Sequence, residues 1–309
     1  VTVTRPMLAF DQVDLVVATR DWGYSELAAS FFPNHTYLTS ASLLLWAPFP
    51  WDAGTLELSV QVYVKDDVVL LAETPITLDW RAPASTLVVD DDALGGNQPG
   101  QPPTSAEDRA FLDVLAERNV TFDRFVMPYL TDGGELTSQL INGYGQVVWY
   151  AGDTWSGSFA FTAQNMADVT QWLDQGGKRL VSSTSGYIYN VASNSSNAVT
   201  DPFLRDQLGA RGSFYDDTNV LRTFTSAAFG LRHGVDSYYV AYLNPGPTTD
   251  VLFAETTPDS GRPIVTRYVT DAGSTVVWTG FSLEGVRPPD AGGVQRDVVR
   301  ALLDASGIQ

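Results

Sequence analysis

The chain of 309 residues contains no cysteine. That absence removes disulfides, thiolate nucleophiles and Cys-ligated metal sites together. Histidine is almost as scarce, present only as His35 and His233, so the usual general base and proton shuttle is nearly missing. Lysine occurs only at 65 and 178, and the formal net charge is −18. So acidic a surface repels phosphate backbones and disfavours anionic lipid, so no nucleic-acid partner is expected. It suits solubility and divalent cations. No apolar run approaches the roughly 18 residues of a membrane span, so no transmembrane helix is expected. The chain opens on Val1-Thr2-Val3-Thr4, strand-like and without an initiator Met. The expectation is a mature protein or a piece of a longer one, with no leader visible at Val1.

What is present divides at about residue 84. Residues 1–84 are rich in Val, Thr, Leu and aromatics with period-2 patterning, and strands are expected at 1–7, 13–19, 37–45, 55–64 and 68–80. Alternation is clear from Leu56 to Val64, the signature of a half-buried antiparallel strand. Lys65-Asp66-Asp67 turns the chain back into the next strand. Residues 22–33 interrupt the pattern, and 25–32 within them read as a helical turn. Short strands with turn signals between them predict a small β-sandwich-like module. Trp46-Ala47-Pro48-Phe49-Pro50-Trp51 is either packing at a loop base or a platform for a glycan. Arg81 to Ala84 is the expected linker.

From residue 85 the rhythm becomes β-α-β-α-β-α-β: strands at 86–90, 121–126, 146–150 and 178–182, helices at 105–119, 135–142 and 162–175. Such alternation predicts an α/β domain with a doubly wound parallel sheet over 85–309. Phe111, Leu112, Val114 and Leu115 form the apolar stripe of its first helix. Residues 211–270 lose the rhythm and read as a β-rich insert, and a strand at 275–280 with a helix at 294–305 restores it.

The candidate site lies where strands deliver polar residues to the carboxyl edge, the place where open α/β sheets bind ligands. Leu87-Val88-Val89 ends in Asp90, Asp91 and Asp92. Three adjacent carboxylates need compensation, from backbone N–H groups, an arginine or a hard cation such as calcium. Strand alternation sends neighbours to opposite sides, so at most two share a ligand. Asp153, Ser185 and Glu284 are the further candidates for a ligand rim. A serine within 182–185 would need a base, and the sequence offers His233 or a carboxylate. No Gly-x-Ser-x-Gly elbow is present. A carboxylate pair from Asp91, Asp153 and Glu284 would suit glycosidase-like acid/base chemistry, though no spacing demands it. Asp216-Asp217-Thr218-Asn219 is a fragment of an oxygen-ligand calcium loop without the full pattern. Tyr187, Tyr189, Tyr238, Tyr239 and Tyr242 read as strand faces or as the lining of a groove.

Four segments resemble one known module: Val88 to Asp92, Val147 to Asp153, Trp172 to Leu180 and Val276 to Val286. In that order they look like the class I glutamine amidotransferase-like, flavodoxin-like domain of secreted multidomain bacterial proteins, often preceded by an immunoglobulin- or fibronectin-like module. Catalytic members carry a cysteine on a sharp turn after a central strand, partnered by a histidine. The matching turn here is Ser182-Ser183-Thr184-Ser185-Gly186-Tyr187, without cysteine. The expectation is therefore a non-catalytic extracellular module of a bacterial surface or appendage protein, serving structure, assembly or adhesion. Its partners would be other proteins, copies of itself or a glycan. No cofactor is expected unless calcium binds the aspartates. The alternatives are a hydrolase using rim carboxylates or a serine, and a calcium- or carbohydrate-binding module.

Overall fold

The structure is a computed structural model that describes residues 2–3, 13–19, 25–31, 39–40, 54–64, 69–80, 84–91, 106–126, 141–151, 163–184, 187–188, 201–216, 221–235, 240–257, 261–287 and 295–309. Two compact units divide the chain, Val1–Pro83 and Ala84–Gln309.

The first unit holds β1 (Thr2–Val3), β2 (Val13–Thr19), β3 (Ser25–Phe31), β4 (Thr39–Ser40), β5 (Gly54–Val64) and β6 (Val69–Trp80). Four of them make an antiparallel sheet in the order β3-β2-β5-β6, and β1 pairs with β4. The alternating stretch from Leu56 to Val64 lies in β5, whose hairpin with β6 runs in register from Gly54↔Trp80 to Val64↔Val69. The helical turn expected at 25–32 is corrected: this stretch is β3, paired with β2 from Val13↔Phe31 to Ala18↔Ser25. A ladder to a neighbouring strand satisfies every second backbone group of β3, which a single isolated helical turn cannot do.

The second unit contains β7 (Thr86–Asp90), α1 (Ala106–Glu117), β8 (Phe122–Val126), β9 (Gln146–Tyr150), α2 (Ala163–Leu173) and β10 (Arg179–Ser183). A π-helical turn (Phe203–Gln207) leads into β11 (Ala210–Asp216), β12 (Arg222–Ser226), β13 (Leu231–Val235), β14 (Val240–Pro245), β15 (Asp250–Thr257) and β16 (Pro263–Val269). Then follow β17 (Thr275–Thr279), a 3-10 turn (Leu283–Gly285), β18 (Val286–Arg287) and α3 (Gln295–Ser306). Ten strands form one sheet, β18-β13-β12-β15-β16-β17-β10-β9-β7-β8. β8, β7, β9, β10 and β17 are mutually parallel. From β16 outwards the pairing is antiparallel. The unit is thus α/β, with a mixed sheet and helices. The β-rich stretch is not an appendage: β12, β13, β15 and β16 continue the same sheet, while β11 and β14 pair with each other.

The parallel strands form because their sequences are apolar on both faces. All five residues of β7 are buried, and β9 and β10 are buried from their second residue on. Val88, Val148, Tyr150, Val181 and Val277 on one face join Phe111, Val114 and Leu115 of α1 and Val298, Val299, Leu302 and Leu303 of α3 in one core. There the Phe111 and Tyr150 rings stack with centroids 5.1 Å apart. Leu87, Val89, Trp149, Leu180 and Trp278, of opposite parity, are also buried. The α1 helix stops at Asn119, which takes φ +57 while the Val120 N–H returns to the Leu115 carbonyl at 2.9 Å. Asparagine tolerates this left-handed closure better than other residues with a Cβ.

Candidate functional site

The carboxyl edge of β7 and β9 is built from the strands inward. Asp90 and Asp91 point to opposite faces, as alternation requires, and both are buried. Asp90 forms an ion pair with Arg124 of β8, the residue across from Val88 on the same face. Asp91 lies on the Trp149 face, where the indole N–H donates to Asp91 Oδ2 at 3.2 Å. Its own N–H donates to the Tyr150 carbonyl at 2.9 Å, extending the β7–β9 ladder by one residue. Each buried carboxylate is therefore compensated from a neighbouring strand, one by a guanidinium and one by an indole N–H. Among the described residues no group of three His, Cys, Asp or Glu side chains is placed to hold a metal.

Asp92, Asp153 and Ser185 lie outside the described residues. So do Trp46 to Trp51, Asp217 to Asn219, Tyr189, Tyr238, Tyr239 and most of the helix expected at 135–142. Glu284 falls in the 3-10 turn before β18. Ser183 ends β10 with its hydroxyl donating to the Phe281 carbonyl at 3.1 Å, and Thr279 Oγ1 donates to the same carbonyl at 2.8 Å. Tyr187 is buried and donates its hydroxyl to Asp201 Oδ1 at 2.8 Å, while that carboxylate also accepts the Leu204 N–H. Burial, reinforced by Asp201, drives the Tyr187 phenol far above its ordinary range. His233 forms no hydrogen bond to a serine among the described residues. It sits on β13, and β12, β15, β16 and β17 stand between it and β10.

A second polar constellation was not visible in the sequence. Arg222 of β12, 1% exposed, bridges Asp216 of β11 at 3.0 Å and Glu255 of β15 at 3.2 Å. The Tyr242 hydroxyl of β14 donates to the other Glu255 oxygen at 2.9 Å. Burial pushes the Glu255 carboxyl upward against the hydrogen bonds from Tyr242 and Arg222. Arg222 is pulled down by burial, but the facing anions, Asp216 and Glu255 among them, outweigh this and it rises. Outward from this network, Arg262 lies 3.6 Å from Asp216 and stacks over the rings of Phe214 and Tyr242, at 5.1 and 5.7 Å. An open pocket of about 320 Å³ sits here, lined by Ser213, Phe214, Tyr242, Leu243, Asn244, Gly261, Arg262 and Pro263. Tyr242 thus belongs to a pocket wall, as one sequence reading allowed, whereas Tyr187 is core. Asp216, within Asp216-Asp217-Thr218-Asn219, and Tyr242 were the local signals, and their partners come from strands whose pairing no local pattern reveals.

The sequence matches no family model and no curated protein. Two solved structures resemble the fold, both from Salmonella typhimurium and each named only as a cytoplasmic protein. STM3548 aligns at 9% identity over 81% of this chain and 95% of its own, with TM-score 0.41. STM1381 from strain LT2 aligns at 10% identity over 83% and 95%, with TM-score 0.38. Their names run against the secreted, cell-surface and adhesion vocabulary and the extracellular location expected from the sequence, and those expectations are corrected. The physical reason is that a cysteine-free acidic chain suits a reducing compartment as well as an oxidising one, so composition never carried the location. Likeness at this level places the present chain in no compartment and assigns it no activity. No helix among the described residues is long and apolar enough to cross a membrane.

Proposed function

We propose that the chain is a non-catalytic structural or assembly module whose larger unit is a flavodoxin-like, class I glutamine amidotransferase-like scaffold without the family's chemistry. The scaffold reading is supported by strand order: numbered along the chain, β7, β8, β9, β10 and β17 stand in the order 2-1-3-4-5. The reading as a module rests on one observation. The buried carboxylates at the switch between β7 and β9 are engaged in holding strands together, Asp90 with Arg124 and Asp91 with Trp149. A catalytic acid or base instead presents its oxygen to a substrate within hydrogen-bond reach.

The partners are other proteins or further copies of this chain. β6 supports strand addition: it runs over 12 residues and pairs only with β5 among the described residues. Pro75 lies within it and restricts which edge positions can donate. A β-sandwich-like, immunoglobulin- or fibronectin-like first unit and a glycan partner stay part of this proposal. The test pairs sedimentation of the purified chain across concentration with glutamine and ester hydrolysis assays. Self-association or capture of a defined partner, with hydrolysis at the buffer rate, is the expected result. Turnover abolished in Asp91→Asn would instead establish the hydrolase reading.

A further inference from the structure

His233 of β13 is buried, and neither of its ring nitrogens has a hydrogen-bond partner among the described residues. Buried polar side chains are nearly always paired, so this imidazole is an exception. Its surroundings are apolar. Phe224 stands directly across from it on β12, and the ring of Phe253 on β15 lies 6.4 Å away. Both phenylalanines belong to the core that α3 covers. A neutral imidazole suits such a place as a flat ring made mostly of carbon. A protonated one, with two N–H donors and a full charge, does not.

The charged groups of the surrounding elements are committed elsewhere. From α3, Asp297 is the anion whose charge acts on His233, and its carboxylate already accepts Arg300 Nη1 at 2.7 Å. On β12, Arg222 is paired with Asp216 and Glu255. On β15, Glu255 is held by Arg222 and Tyr242. On β13 itself, Arg232 is exposed and alternates to the other face. On β18, Arg287 stands opposite Gly234.

The backbone bordering His233 is lightly anchored. β13 is next to last in the ten-stranded sheet, with β18 outside it. β18 holds it through two pairs, Gly234↔Arg287 and Val235↔Val286. The turn Leu283–Gly285 leads into β18 and is tied to the start of α3, where Gln295 Nε2 donates to the Leu283 carbonyl at 2.9 Å. These three pieces form one connected patch. Further along, α3 is held separately to α1 by the ion pairs Arg300–Glu117 and Asp304–Arg118.

We propose that His233 is an acid-sensitive latch: protonation of its buried imidazole frees β18, the turn before it and the first turn of α3, while the rest of the unit stays closed. Opening lets water solvate the imidazolium and uncovers Leu283 and Val286, both buried in the closed form. Burial holds the closed-form imidazole below its ordinary range, and Asp297 opposes this. The closed form therefore binds the proton less readily than the open form. The open population rises as pH falls below about 6.5, the value of a solvated imidazole, and the rise ends at the closed-form pKa.

With His35 and His233 the only histidines, the test is direct. Hydrogen exchange of the full chain is measured at pH 7.5 and 5.5, corrected for intrinsic rates, in the wild type, His35→Gln and His233→Leu. The amides to follow are 231–235, 286–287 and 299–301, the last group bonding back to the first turn of α3. Their opening should become about five- to ten-fold more frequent at pH 5.5 in the wild type and in His35→Gln. In His233→Leu it should not change. Glu255, whose carboxyl burial pushes upward, is present in all three proteins, so a rise that it caused would persist in His233→Leu. In parallel, the imidazole signals of the wild type are titrated by NMR, with His35→Gln assigning them. His233 should titrate below about 6.5, a result that does not depend on how the leucine variant folds. No rise in opening, an equal rise in His233→Leu, a uniform rise across the whole unit, or a His233 titration at or above about 6.5 would each overturn the proposal. Such a failure leaves the reading of the carboxyl edge untouched, since no residue is shared.

Discussion

At the scale of single residues, His233 is the plainest titrating group buried in the unit Ala84–Gln309. It is 2% exposed, neither ring nitrogen has a hydrogen-bond partner among the described residues, and its ring lies 6.4 Å from that of Phe253. Burial lowers its pKa, opposed by Asp297. The folded state therefore takes up its proton less readily than the unfolded chain. The stability this neutral residue allows is complete above the unfolded value of about 6.5 and is lost as pH falls from there through the folded pKa. Relative to the wild type, His233→Leu should gain stability as pH drops from 8 to 5, read from urea unfolding at each pH. An unchanged difference between the two proteins across that range would show that His233 does not titrate differently on folding. Neither its burial nor the Arg222 network was legible in the sequence. Arg222 and Glu255 lie 33 residues apart and meet only because β12 and β15 are neighbours.

At the scale of elements, what the sequence revealed follows from how local the cause was. The strand expected at 146–150 is β9 to the residue, because a continuous apolar run needs no partner to be recognised. The expected helices at 105–119 and 162–175 are α1 and α2 with slightly trimmed ends, and that at 294–305 is α3 shifted by one residue, since an amphipathic stripe and its stop signals are local too. β3 was misread because its strand conformation comes from β2. The extension of the sheet through β16 was hidden because β16 lies antiparallel to β17, a choice made by pairing and not by pattern. Gly280 shows how close that packing is. Its carbonyl accepts the Ala241 N–H of β14 at 2.7 Å, and its N–H donates to the Ile264 carbonyl at 3.0 Å. A Cβ there would collide with the Ala241 carbonyl and come within 2.6 Å of the Trp278 ring. Gly280→Ala should therefore cost about 1–3 kcal/mol, with faster hydrogen exchange in β14. A neutral effect on both would show that β14 yields without loss.

At the scale of the whole molecule, the two units carry separate sheets, and the parallel half of the larger one sets where a ligand would sit. A calcium ion at the aspartate edge would have to draw Asp90 from Arg124, or use Asp91 on the opposite face. Melting with EDTA and with millimolar Ca²⁺ should accordingly give the same temperature. A site filled at about 100 times its Kd would add roughly 2.7 kcal/mol and be easily seen. The carboxylates themselves provide the most direct test of the account, which holds that they brace the sheet and do no chemistry. Residues kept for catalysis commonly cost stability, so replacing them tends to stabilise the fold; residues that brace the fold behave oppositely. The measurement is the urea unfolding free energy of Asp90→Asn and Asp91→Asn against the wild type. The account predicts losses of about 3 kcal/mol for Asp90→Asn, which removes the buried ion pair to Arg124, and about 1–2 kcal/mol for Asp91→Asn. A gain in stability in either variant would contradict it and return that aspartate to the list of candidate catalytic groups.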